Sequence, residues 1–286
     1  MGCSDVKQFL LCTGDVTKNL KSGIWNASRS VSNLELIKAL ENGSLQELNN
    51  AGDMVDAHTK IFVAPNDPLQ HLDGKADDYE IIVKLFFLDG KNDSLDGRRG
   101  TTDQVFLYLN QLLGINNVST LVASFPHVVF SKEGLKVTPD SRVYSSIDEV
   151  PEEEIQSWID TWKILEGKVR QGKVGTLGIS EFGVPELEKL IPNVEISPES
   201  TQINNGGECK LPLDLAKYAE QKRLKIFFHS DPPIFIDENE ITEAIRHACP
   251  NLPARAHADW VVRYTILSRK TSVIHRKGYF VKASFM

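Results

Sequence analysis

The chain has 286 residues, 41% of them hydrophobic and 25% charged, and a formal net charge of −7. Such a composition supports a sizeable core, and an acidic balance without a Lys/Arg run excludes a nucleic-acid groove. No apolar run approaches the roughly 20 residues of a membrane span, and MGCSDVKQFLLC lacks the basic region and long apolar core of a secretory signal.

The N-terminal Gly2-Cys3 pair suggests acylation, but Val6 stands where the myristoylation pattern needs Ser or Thr. Cys3, Cys12, Cys209 and Cys249 are scattered, which fits reduced thiols in a cytosolic protein. The asparagines of NAS and NVS would be glycosylated only after secretion. A single domain over 1–286 is expected, with the first sixty residues the least legible.

In chain order, QFLLCTG reads as a short strand. NLELIKALENG reads as a helix with Leu34, Leu36, Ile37 and Leu40 on one side and Gly43 as its stop. SLQELNN extends that helix or forms a turn, IFVAP is a strand, and residues 65–78 form a loop. YEIIVKLFFLDG is a strand buried on both faces, with Lys84 in its middle. A lysine there needs a paired charge or a lowered pKa, unless it reaches the strand's open end and solvent.

GKNDSLDGRRGTTD reads as a loop with a solvated arginine pair, after which Thr101 or Thr102 caps a helix striped by Val105, Tyr108, Leu109, Leu112 and Leu113. VSTLVASFP is another buried strand, and residues 127–150 form a long polar insertion of the functional or mobile kind. PEEEIQSWIDTWKILEGKVRQGK is a helix with glutamates in its first turn and Ile155, Trp158, Ile159, Trp162, Leu165 and Val169 facing the core.

From Val174 to Asp231 the order is strand, helix, strand, helix, strand: VGTLGIS, PELEKLI, STQIN, LPLDLAKYAEQK and LKIFFHSDP. This is the order of parallel βα units. Each strand ends in polar residues: Ser180 and Glu181, then Asn204 and Asn205, then His229 to Asp231. In parallel α/β folds that edge carries function. ENEITEAIRHACP reads as a helix with Ile241, Ala244, Ile245 and Ala248 inward. ADWVVRYTILSRK reads as a second helix, with Trp260, Val261, Tyr264 and Leu267 on its face. TSVIHRKGYFVKASFM gives a last strand and a basic tail.

Several chemistries lack their residues. The glycines of GKVGTLGIS have neither the dinucleotide spacing nor a following Gly-Lys-Ser/Thr, and read as small residues packing strand against helix. His247 and Cys249 are too few for a metal site, and no Gly-x-Ser-x-Gly elbow occurs. The acids from Asp148 to Glu154 read as a helix N-terminus.

GTLGISEF, a short helix and STQIN resemble the aldo-keto reductase pattern, as does VVRYTILSRKTSVIHRKGY, which is similar to that superfamily's Leu-Arg-Trp helix and final strand. The resemblance implies an α/β fold, a TIM (β/α)8 barrel with an irregular N-terminal region and long loops. It also implies an Asp-Tyr-Lys-His tetrad that this chain keeps only in part. Lys84 matches the lysine. Ser124, before Phe125 and Pro126, stands in the histidine slot, and Asp56 with Ile61 is all that answers the Asp-x-x-x-x-Tyr motif, which removes the proton-donating tyrosine. Ser180 and Gln202 persist as cofactor-binding positions, but Glu181 replaces the asparagine that holds the nicotinamide amide. The adenosine-phosphate contacts expected downstream are missing.

KVGTLGISEFGVPELEKL, LPLDLAKYAEQKRLKIFFHSDP, VKLFFLDG and WVVRYTILSRK together resemble the regulatory (modifier) subunits of glutamate–cysteine ligase. That resemblance implies a non-catalytic barrel bound to the ligase's catalytic subunit as a cytoplasmic heterodimer in the first step of glutathione synthesis. There it raises affinity for glutamate and eases glutathione feedback. It implies no metal, nucleic-acid or membrane partner, and no required cofactor beyond weak NADPH binding. Interface candidates are Cys209, beside Glu208 in the loop after STQIN, together with the 180–182 loop, His229, Asp231 and the 229–233 loop, and the basic tail at Arg276 and Lys277. The alternative is an NADPH-dependent carbonyl reductase built around Lys84.

Overall fold

A computed structural model describes residues 8–20, 32–41, 46–47, 59–63, 70–89, 94–131, 143–144, 146–206, 210–233, 235–248 and 255–285. Its strands are β1 (Gln8–Cys12), β2 (Gln46–Glu47), β3 (Thr59–Val63), β4 (Tyr79–Phe87), β5 (Val118–Ser124), β6 (Val174–Ser180), β7 (Ser200–Ile203), β8 (Lys225–Phe228), β9 (Ala256–Ser268) and β10 (Ile274–Phe285). The helices are α1 (Thr17–Leu20), α2 (Ser32–Glu41), α3 (Leu95–Leu113), α4 (Glu152–Arg170), α5 (Val184–Leu190), α6 (Leu213–Lys222) and α7 (Glu238–Ala248). All these strands join one mostly parallel sheet in the order β2-β3-β1-β10-β9-β4-β5-β6-β7-β8.

The α/β class and the barrel-like succession are clearest from β4 to β8. There each strand pairs in parallel with the next, and α3, α4, α5 and α6 lie between them in sequence. The described sheet does not close: β2 and β8 are its two ends.

The pleat explains how one strand serves two cores. On β4, Ile81, Val83, Leu85 and Phe87 face a core shared with Trp158, Trp162 and Leu109 of α4 and α3. Phe86 faces the opposite core, with Phe9, Leu36, Ile241 and Tyr279. α4 carries Glu152, Glu153 and Glu154 in its first turn and Lys168 and Arg170 in its last, each sign at the favourable end of the helix dipole.

Several expectations are corrected. The segment 256–268 is a strand, not a helix. Its helical stripe competes with a period-two pattern in which Val262, Tyr264 and Ile266 are buried while Arg263, Thr265 and Leu267 are half-buried, and its β-branched and aromatic residues favour that pattern. The basic tail is a strand as well: β10 is antiparallel to β9 and to β1. Gly278 is needed there, since a Cβ would sit 2.1 Å from the Gly14 carbonyl oxygen and 2.2 Å from the Tyr264 hydroxyl.

Ser94, not Thr101 or Thr102, caps α3, its Oγ accepting from the Gly97 N–H at 3.1 Å. The helix therefore begins earlier and buries Arg98, which stands over the Phe87 and Phe125 rings and donates to Thr161 Oγ1 at 3.0 Å. On α2 the buried stripe is Leu36, Ala39 and Leu40, with Leu34 exposed, and Gln46–Glu47 is a strand paired with β3. The glycines of β6 pack strand against strand: Cβ atoms at Gly175 and Gly178 would meet Ser119 O and Ser200 Oγ.

Candidate functional site

Because β4 to β8 run in one direction, their carboxyl ends share an edge. There Asp89, Ser124, His127, Glu181, Asn204, His229 and Asp231 line a cavity of about 430 Å³, walled by aromatics such as Phe86, Phe87, Phe125 and Phe235. Among the described residues no tyrosine lines it.

Beneath this cavity Lys84, only 2% exposed, finds its partner. Its Nζ donates to Asp231 Oδ2 at 2.6 Å and to Ser180 Oγ at 2.7 Å. Lys84 lies directly opposite Arg263 across the β4–β9 ladder, a like-charge pair that is unfavourable by itself. Asp231 offsets it by joining the two: Arg263 Nη1 and Nη2 donate to Oδ1 and Oδ2 at 2.5 and 3.2 Å. On β10, Tyr279 also bonds Arg263 and donates its hydroxyl to Glu35 Oε2 at 2.8 Å.

The charges follow this geometry. Burial pulls the Lys84 ammonium down to about 8, with attraction by Asp231 opposing and repulsion by Arg263 assisting. Burial would raise the Asp231 carboxyl, but Arg263 and then Lys84 hold it well below the usual carboxylate range. At the cavity rim, burial would lower the His127 imidazolium, but Asp89 (2.6 Å) and Glu154 (3.6 Å) raise it to about 9.

Glu181 has φ 67°, uncommon for a residue with a side chain. Its backbone N–H donates to Gln202 O at 2.7 Å. Its Oε1 receives the Asn204 N–H at 3.0 Å and faces His229 Nε2 at 2.5 Å, while Oε2 receives the Phe130 N–H at 2.7 Å. The Asp231 N–H donates to His229 Nδ1 at 3.0 Å, which puts the imidazole proton on Nε2, toward Glu181.

This bonding limits the chemistry. Ser180 Oγ is 3.2 Å from His229 Nε2, but that nitrogen carries a proton and the ring's lone pair is spent on the Asp231 amide. No base therefore faces the fully buried serine. The nicotinamide carboxamide implied by the reductase resemblance would meet an acceptor-only group here: Glu181 offers no donor to its C=O, and three protein groups already face the carboxylate oxygens. Among the described residues no group of three or more His, Cys, Asp or Glu could hold a metal ion.

Of the residues singled out in the sequence, Lys84, Ser180, His229 and Asp231 come together in one network, and Ser124 lines the cavity above it. Gln202 lines a separate cavity of about 320 Å³ on the Lys84 face of the sheet. Arg276 and Lys277 belong to β10 and are engaged there. Arg276 Nη1 donates to Gln70 O at 2.6 Å, and Lys277 pairs with Glu35. Cys209, Asp56, Cys249 and the His247 side chain lie outside the described residues. Arg263 was hidden by the helical reading of its segment. The Arg in V-V-R-Y-T-I, read with period two, marks the strand position opposite Lys84.

Known proteins resemble this chain over different extents. A protein of Schizosaccharomyces pombe (strain 972), provisionally named glutamate–cysteine ligase regulatory subunit, is 56% identical over 283 residues, 99% of this chain and 98% of that protein. The Homo sapiens glutamate–cysteine ligase regulatory subunit is 29% identical over 123 residues, 43% of this chain and 45% of that protein. Among solved structures, aldose reductase from Giardia lamblia matches with a TM-score of 0.36 and 22% identity, covering 54% of this chain and 46% of that one. No family model matches the chain.

Proposed function

We propose, from the premise that this chain belongs to the family of glutamate–cysteine ligase regulatory subunits, that it is a non-catalytic subunit that binds the ligase's catalytic subunit. It raises affinity for glutamate and eases glutathione feedback by favouring the partner's high-affinity conformation through contacts made better in that state. This would place it in the cytosol, at the first step of glutathione synthesis.

The observation that carries the non-catalytic reading is the bonding around Lys84. Its ammonium is engaged by Asp231 and Ser180, the His229 proton faces Glu181, and the Glu181 carboxylate already receives the Phe130 and Asn204 amides. The groups that would move a proton to a substrate are spent within the protein. No cofactor is required in this reading. The loop at 229–233, exposed at Ser230 and Pro233 on the rim of the cavity, is the proposed contact surface, with Ser180 and Phe182 buried beneath it.

The chain is mixed with the ligase catalytic subunit at micromolar concentration and passed over a sizing column, and the KM for glutamate is measured with and without it. Co-elution and a lowered KM are expected, and separate elution overturns the reading. The reductase alternative is tested by NADPH titration and aldehyde turnover. A flat titration without turnover is expected, whereas turnover abolished in Lys84→Ala would establish the reductase.

A further inference from the structure

Among the described residues β8 pairs with β7 alone and ends the sheet. The Lys225 N–H donates to Glu199 O at 2.9 Å and the His229 N–H to Ile203 O at 3.1 Å. In a parallel ladder alternate residues face each neighbour, so the N–H and C=O groups of Ile226 and Phe228 point away from the sheet. Phe227 and Phe228 are 50% and 48% exposed, one on each face of the strand, and Leu213, at the start of α6, is 77% exposed. Exposed edges with aromatic side chains are features that folded chains ordinarily cover or blunt.

The charge beside this edge narrows what could cover it. Residues 210–228 hold five basic residues (Lys210, Lys217, Lys222, Arg223, Lys225) against two acidic ones (Asp214, Glu220), a positive surplus in a chain of net −7. Lys222, Arg223 and Lys225 are exposed at the start of β8. A second β8 strand, Lys225–Phe228, would bring no acidic residue to these cations. An acidic segment meets them favourably.

We propose that the open edge of β8 takes an extended, acidic segment of the ligase catalytic subunit as an added strand. Its backbone bonds Ile226 and Phe228, its apolar residues cover Phe227 and Phe228, and its carboxylates face Lys222 to Lys225. Glu80 and Glu199 line the cavity on the inner face beside Lys225 and Phe227, so the partner's acids lie toward Lys222 and Arg223 rather than deeper in that groove. The proposal rests on the regulatory-subunit reading and adds to it a contact separate from the strand-end cavity.

Amide hydrogen exchange is measured on the full chain, alone and with the catalytic subunit. The amides of Ile226 and Phe228 should slow by about 100-fold in the complex. Lys225→Glu, a change of an exposed side chain, should weaken the complex by about tenfold, with an unchanged melting temperature confirming that the variant folds. A complex that leaves both amides exchanging at the free rate overturns this proposal alone. Slowing that appears in the free chain as concentration rises makes the occupant a second copy and also overturns it. Failure of the unaltered chain to form any complex overturns the regulatory reading, and this proposal with it.

Discussion

From β4 to β8, each strand lies beside the next in sequence, linked through a helix, and the pairings are parallel. In the other half, β1 joins β3 and β10, and β10 joins β9, bringing the two chain ends together in mainly antiparallel pairs. The first half is held by local units that each bury one helix face. The second depends on contacts between residues far apart in sequence, such as the Tyr279 N–H donating to Thr13 Oγ1, 266 residues away. The halves meet at the β4–β9 ladder, and Asp231 clamps Lys84 of one to Arg263 of the other.

The seam is therefore where a substitution does most harm. Asp231→Ala leaves Lys84 and Arg263 facing each other without their shared carboxylate, and should cost about 3–5 kcal/mol, read from the denaturant midpoint. Next come the halves themselves. Gly278→Ala should cost about 3 kcal/mol, because the Gly14 carbonyl is backbone and cannot turn aside. Gly178→Ala should cost about 1 kcal/mol, since the nearest atom, Ser200 Oγ at 2.6 Å, belongs to a side chain that can rotate. Equal losses would mean that the backbone around Gly278 gives way as readily as the Ser200 side chain.

Much of the first half is legible because each strand and helix carries its own signal. The apolar run of β4 announces a buried strand, and the glutamates before Ile155 and Trp158 announce α4. The second half is ambiguous at the level of pattern. Trp260 and Tyr264 satisfy a helical spacing and a strand spacing together, and only pairing with β4 and β10 decides between them. The site divides in the same way. Ser180, Glu181, His229 and Asp231 stand out as polar strand ends, but the pairing of Lys84 with a carboxylate 147 residues away is a product of topology.

At the cavity rim the expected effect is smaller and pH-dependent. The folded value of His127 lies above its ordinary 6.5, so its stabilisation is full below about pH 6.5 and is lost as pH rises through about 9. His127→Gln should cost on the order of 1 kcal/mol at pH 6 after solvent screening and nothing near pH 10, read from melts at both pH values. Smallest of all, Lys225→Glu at the sheet edge should change stability by less than about 0.5 kcal/mol. A larger loss would mean that β8 serves the fold rather than a partner.

The most direct test of a non-catalytic regulatory role joins both functional readouts in one preparation. The KM for glutamate of the ligase catalytic subunit is measured with increasing amounts of this chain, in parallel with NADPH oxidation by this chain alone on a simple aldehyde. A saturable fall in KM, without NADPH oxidation, is the predicted result. An unchanged KM together with NADPH turnover that Lys84→Ala abolishes would contradict it.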